Sequence, residues 1–87
     1  ELFANGTVMV FPNPAQDNIN LSFNLKEDTK IDLTLSDISG KQLISRSYEA
    51  SMGHNQLTFD VSNFAKGIYV FHINTEKGTL NYKVVIK

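Results

Sequence analysis

The 87-residue sequence contains no cysteine. Disulfides, thiolate metal sites and cysteine nucleophiles are therefore excluded, while the compartment stays open and export remains compatible. Charge of one sign is also missing: eight Lys and Arg face nine Asp and Glu, a formal net of −1. A nucleic-acid binder needs a concentrated basic face, and here the cations are scattered. The same scatter leaves no polybasic membrane patch. No apolar run approaches the roughly 20 residues of a membrane helix. The opening ELFANGT lacks the positive start and apolar stretch of a secretory signal peptide. The sequence begins at Glu1 without Met, which reads as a piece of a longer protein. Prolines number two, Pro12 and Pro14, separated by Asn13.

What is present is period-2 alternation, at a length that suits one small domain. The composition, 41% hydrophobic and 20% charged, is that of a globular chain. Seven strands are expected: about Thr7–Phe11, Asn18–Leu25, Lys30–Asp37, Lys41–Glu49, Asn55–Phe59, Ile68–Asn74 and Thr79–Ile86. Ile19, Leu21, Phe23 and Leu25 share one face of the second. Ile31, Leu33 and Leu35 share one face of the third, and Leu80, Tyr82, Val84 and Ile86 one face of the last. Lys26-Glu27-Asp28, Asp37-Ile38-Ser39-Gly40, Ser51-Met52-Gly53-His54 and Glu76-Lys77-Gly78 supply the turns, with Gly40 suited to a positive φ. Strands this short and evenly spaced predict an antiparallel β-sandwich or a small barrel.

The segment Asp60–Gly67 breaks the alternation. Asp60 can cap one helical turn, Phe64 can fold into the core, and Gly67 can make a left-handed exit. Tyr69 follows at once, placed like the tyrosine corner of immunoglobulin-like sandwiches. Two residues on, where antibody domains carry a cysteine, stands Phe71. This favours the sandwich over the barrel. The sixth strand is apolar on both faces. If Tyr69, Phe71 and Ile73 face the core, Ile68, Val70 and His72 lie outside, covered by neighbouring side chains or open as a docking surface.

The prolines each lack an N–H, fix their own φ and push Phe11 and Asn13 towards extended conformations. A stiff extended peg is expected, one that leaves an edge or crosses between sheets and blunts the first edge against foreign strands. Asn13 and Asp17 are expected to bond locally and hold the turn into the second strand.

Reactive chemistry finds little footing. His54 and His72, the two histidines, have no acid and nucleophile at a triad spacing. Asp28, Asp32 and Asp37 do not match a calcium loop, and no phosphate-binding glycine loop occurs. Tyr48 is the best candidate for stacking on a sugar or base, and strand packing explains it as well. No catalytic residue, cofactor or metal site is expected.

Taken together, three pieces and an ending carry more. They are Val10-Phe11-Pro12-Asn13-Pro14-Ala15 with Asp17; Leu35-Ser36-Asp37-Ile38-Ser39-Gly40-Lys41; and Gly53-His54-Asn55-Gln56-Leu57, then Asp60-Val61-Ser62, then Gly67-Ile68-Tyr69-Val70. The ending is Lys83-Val84-Val85-Ile86-Lys87. Their order and spacing, from about residue 8 to 87, resemble the C-terminal sorting domain of type IX (Por) secretion cargo. The resemblance implies a seven-stranded immunoglobulin-like sandwich that acts as a non-catalytic secretion signal. It implies recognition by outer-membrane type IX translocon components, with the cargo passing through the periplasm to the cell surface or beyond. It also implies removal of the domain by a sortase-like cysteine protease and attachment of the cargo at the surface. The matching residues are Pro12, Asn13, Pro14, Gly40, Lys41, Gly67, Tyr69, Lys83, Val84, Val85, Ile86 and Lys87. Among them, Pro12–Pro14 and the terminal strand are the first candidates for recognition. The domain is then expected over residues 7–87, with 1–6 as the end of a linker from the cargo. Partners would be proteins, with no nucleic acid or small-molecule substrate, and free edges leave room for a weak homodimer. The rival readings are a generic sandwich module binding carbohydrate or protein, and an enzyme fragment.

Overall fold

Alternation along the sequence becomes alternation of burial in the computed structural model, which describes residues 8–87. Seven strands form: β1 (Met9–Phe11), β2 (Asn18–Leu25), β3 (Thr29–Asp37), β4 (Gln42–Ala50), β5 (Gly53–Asp60), β6 (Gly67–Thr75) and β7 (Gly78–Ile86). The second has the bounds expected from its alternation, and the others differ by a residue or two. Thr7 and the expected linker at 1–6 lie outside the described residues.

The strands pair antiparallel in two sheets, ordered β1-β2-β5 and β4-β3-β6-β7. Side chains at every second position point between the sheets. Ile19, Leu21 and Phe23 of β2 meet Ile31, Leu33 and Leu35 of β3 and Tyr69, Phe71 and Ile73 of β6 in one core. Phe59 of the three-stranded sheet and Phe71 of the four-stranded sheet cross the gap, their ring centroids 5.4 Å apart and tilted by 49°. An aromatic contact thus occupies a layer that a disulfide spans in antibody domains. The sandwich, and not the barrel, is the architecture.

Three connections carry the chain between the sheets, and each has a physical stop. Lys26–Asp28 leads from β2 to β3, and residues 51–52 lead from β4 to β5. Asp28 Oδ1 accepts the Met52 N–H at 2.7 Å, joining these two crossings. Lys77 and Glu27 add an exposed ion pair at 2.8 Å at the same end. Between β5 and β6, Asp60 Oδ1 accepts the Ser62 N–H and hydroxyl at 2.9 and 2.7 Å. One turn follows, closed by Phe64 N–H on Val61 O at 3.0 Å. The Tyr69 hydroxyl then donates to Ala65 O, four residues back, completing the corner that the sequence suggested. Gly67 corrects an expectation: its φ of +157° opens β6 and is not the left-handed exit of a helix. The connection from β1 to β2, residues 12–17, starts and ends on the same sheet and bears on function.

The one-sided alternation of β7 is only half realised in burial. Val84 and Ile86 are buried, Tyr82 is half-buried and Leu80 is exposed. Periodicity fixes the face of a strand but not what lies over it. On the outer face of β6, Val70 lies between Ser36 and Lys83, and His72 between Thr34 and Asn81. Both are half-buried, whereas Ile68 is exposed beside Val85. His72 Nδ1 lies 2.6 Å from Asn81 Oδ1.

Two predictions follow from this packing and these turns. Truncating Phe71 to Ala removes a fully buried ring that meets Phe59, and should cost about 3–5 kcal/mol, read as a lowered denaturation midpoint at unchanged m-value. The second concerns acid. The Ser39 hydroxyl, with the Ser39 and Lys41 amides, holds the Asp37 carboxyl below its ordinary 3.8. The Ser62 hydroxyl and amide do the same for Asp60, and the Lys77 hydrogen bond holds Glu27 below 4.5. Folded values below unfolded ones mean that this stability is complete above the unfolded values. It is lost as pH falls through the lowered ones. Lys77 behaves oppositely. Its pKa is raised above 10.5 by Glu27, so its contribution fades as pH climbs past that value. A stability profile should therefore fall below about pH 4, and Asp37→Asn with Asp60→Asn should flatten that acid limb.

Candidate protein-recognition end

The chain leaves β1 at Phe11 and has to reach β2 at Asn18, on the same sheet. It does so by a detour across the open side of the sandwich. Residues 12–14 form a bend with both X–Pro bonds cis, in place of the expected extended peg. At Ala15 the chain meets the free edge of β7 and runs parallel to it opposite Ile86. Ala15 N–H donates to Val85 O at 2.8 Å, and Lys87 N–H donates to Ala15 O at 2.8 Å. Ala15 is fully buried, which suits the smallest chiral side chain where two layers close.

Asn13 continues this pairing with its side chain. Its Oδ1 accepts the Val85 N–H at 3.0 Å and its Nδ2 donates to Lys83 O at 3.2 Å. A carboxamide carries the same donor and acceptor as a peptide group, and here it takes the next rung of the parallel ladder. The two backbone partners fix which way the amide points. Asn13 therefore bonds across 70 residues and not within its own turn, contrary to the local role expected of it. Asp17 uses its backbone carbonyl, which accepts the Val61 N–H at 2.8 Å. Pro12 and Pro14 flank Asn13 without N–H groups of their own.

The remaining motif residues gather at the same end of the four-stranded sheet. Gly67 lies opposite Ile86, and Tyr69 opposite Val84. On the other side of β6, Asp37 lies opposite Tyr69 and begins the β3–β4 hairpin that contains Gly40 and Lys41. Asp37 Oδ1 accepts the Ser39 and Lys41 amides at 2.9 and 3.0 Å, and Gly40 takes φ +92°, a value that side chains with Cβ rarely adopt. Stretches from residues 12–14, 40–41, 67–69 and 83–87 thus form one continuous region. Val84, Ile86 and Tyr69 face the core; Pro12, Asn13, Pro14, Gly40, Lys41, Lys83 and Lys87 are exposed, and Gly67 and Val85 half-exposed. Ala15 and Asp37 belong to the same construction but were missed as site residues. The clue to Ala15 was its place in the proline-flanked run, and to Asp37 its Asx-turn spacing to Ser39.

Among the described residues no three His, Asp or Glu side chains gather as metal ligands. His54 and His72 lie on different sheets. Tyr48 is half-buried and packs on the core, as strand packing requires. Among the described residues no helix is long and apolar enough to cross a membrane. What the region offers is a fixed array of exposed lysines, prolines and backbone.

Comparison with known proteins gives this region a context. No curated protein matches the sequence. Among solved structures, the crystal structure of dimeric latent PorU from Porphyromonas gingivalis superposes with a TM-score of 0.66 at 16% identity. The match covers 91% of this chain and 9% of that one, and it shows a shared fold. Residues 9–87 match the secretion system C-terminal sorting domain of the Por type, the motifs above included. Coverage of nearly the whole sequence places the chain in that family: it belongs to the type IX secretion C-terminal sorting domains.

Proposed function

We propose that the end of the four-stranded sheet built from residues 12–15, 37–41, 67–69 and 83–87 is the surface that outer-membrane translocon components read. The family is one of sorting signals, so the chain directs the protein that carries it out through the type IX system. The observation that supports this surface is convergence. Motifs spread over the sequence meet at one end, tied by the bonds of Asn13 and Ala15 to β7. The exposed cations there, Lys41, Lys66, Lys83 and Lys87, stand on or beside those motifs. In this reading the domain is non-catalytic, passes with its cargo through the periplasm, and is removed by a sortase-like cysteine protease once the cargo reaches the surface. The carbohydrate-binding alternative requires an exposed ring, and Tyr48 is held against the core. The edges of β4 and β5 have a paired strand on one side only, which leaves room for strand addition by a partner or a second copy.

A reporter carrying residues 1–87 should reach the surface of a host with this export system. Deleting Asn81–Lys87 should retain it in the periplasm. Lys83→Glu with Lys87→Glu keeps the buried side chains and should reduce delivery several-fold, measured as surface-accessible reporter. The matching reversal at the far end, Lys26→Glu with Lys30→Glu, should leave delivery unchanged. Loss in the second pair and not the first would place recognition elsewhere.

A further inference from the structure

We infer that Asn13 is a positioning residue for the export signal. Its side-chain amide latches the last half of β7, so that the terminal strand is presented as a closed edge and read through its side chains. The inference rests on the reading that the terminal strand belongs to the surface the translocon reads.

Outward-facing backbone on β7 alternates with the groups that pair to β6, and from the Lys83 carbonyl onward these outward groups are Lys83 O, Val85 N–H, Val85 O and Lys87 N–H. Asn13 takes the first two and Ala15 the last two. A partner adding a strand would need those same groups. Over Lys83–Lys87 that mode is blocked while the latch is closed. What remains for a partner is the exposed Lys83 and Lys87 side chains and half-buried Val85. Asn is suited to this position by chemistry. Asp at the same length would keep the acceptor for Val85 but set a carboxylate oxygen against Lys83 O. Ala would supply neither bond. The flanking prolines contribute no donor, and Asn13 reaches this edge through its side-chain amide.

The test pairs amide exchange with export in the same variants. In Asn13→Ala both side-chain bonds to β7 are removed, and the Val85 and Lys87 amides should exchange about tenfold faster, with Phe71 unchanged; in the near-isosteric Asn13→Asp the bond to Lys83 O is replaced by a contact between two oxygens, and the same amides should exchange faster by a smaller factor. Reporter export should fall with that protection. Thr58→Ala, which removes the Thr58–Asn20 bond on the opposite sheet, serves as the control and should export normally. Export that falls while Val85 and Lys87 stay protected would mean that a partner touches Asn13 directly, and overturns the inference. Protection lost with export intact also overturns it, as does equal loss of export in the control. A parallel deletion of Lys83–Lys87 separates the two levels: export surviving that deletion refutes the underlying reading itself, whatever Asn13 does.

Discussion

The structure depends on how its last strand is held. β7 pairs with β6 on one side and, as the edge of its sheet, would otherwise present unpaired peptide groups. The detour of residues 13–15 gives it a second neighbour over its final residues. That contact also closes the sandwich, because the same segment continues from β1 of the opposite sheet. One short run of chain therefore ties the two sheets together and protects an edge. Removing it would leave outward-facing peptide groups on β7 as a template for foreign strands.

Because of that arrangement, the proposed recognition end is a property of the folded chain alone. Its parts come from positions 12 to 87, and an unfolded chain presents none of it as a surface. Lys41 is placed by a hairpin braced on Asp37, and Tyr69 by its hydroxyl on Ala65. Gly67 and Tyr69 support the terminal strand directly through their pairing with Ile86 and Val84. Residues that look like a scattered recognition code thus divide into exposed groups that a partner could touch and buried ones that hold them still. A buried Tyr69, Val84 or Ile86 can be indispensable to a signal without meeting its receptor.

Much of the fold was legible in the sequence because its determinants are local. The alternation of Ile19, Leu21, Phe23 and Leu25 set both the bounds and the buried face of β2. The Tyr69 corner was visible from its position after Asp60–Gly67, and the Asp37–Gly40 turn from its residue types. What was not legible depends on partners distant in sequence. The pair of hydrogen bonds between the Asn13 amide and β7 has no local pattern, and the ordinary tendency of Asn and Asp to bond nearby backbone pointed to the wrong partner. The bulge between Leu35 and Ser36, where Leu43 is the extra residue of β4, is likewise set by pairing. Alternation placed Leu80 on the core side correctly but could not show that it stays exposed there.

The proline-flanked asparagine solves a geometric conflict. The chain must stay beside β7 long enough to cover Lys83–Lys87, yet two residues before Asn13 it is already paired with β2, where Phe11 lies opposite Asn20. Backbone cannot serve both sheets at once. Ala15 is far enough along to pair through its own peptide groups; Asn13 is not, and its side chain reaches back to complete the rung. A proline on each side removes donors that the bend could not pair and narrows the backbone angles through which Asn13 must reach. The motif is therefore a structural answer before it is a recognition element: it lets one short segment belong to two sheets.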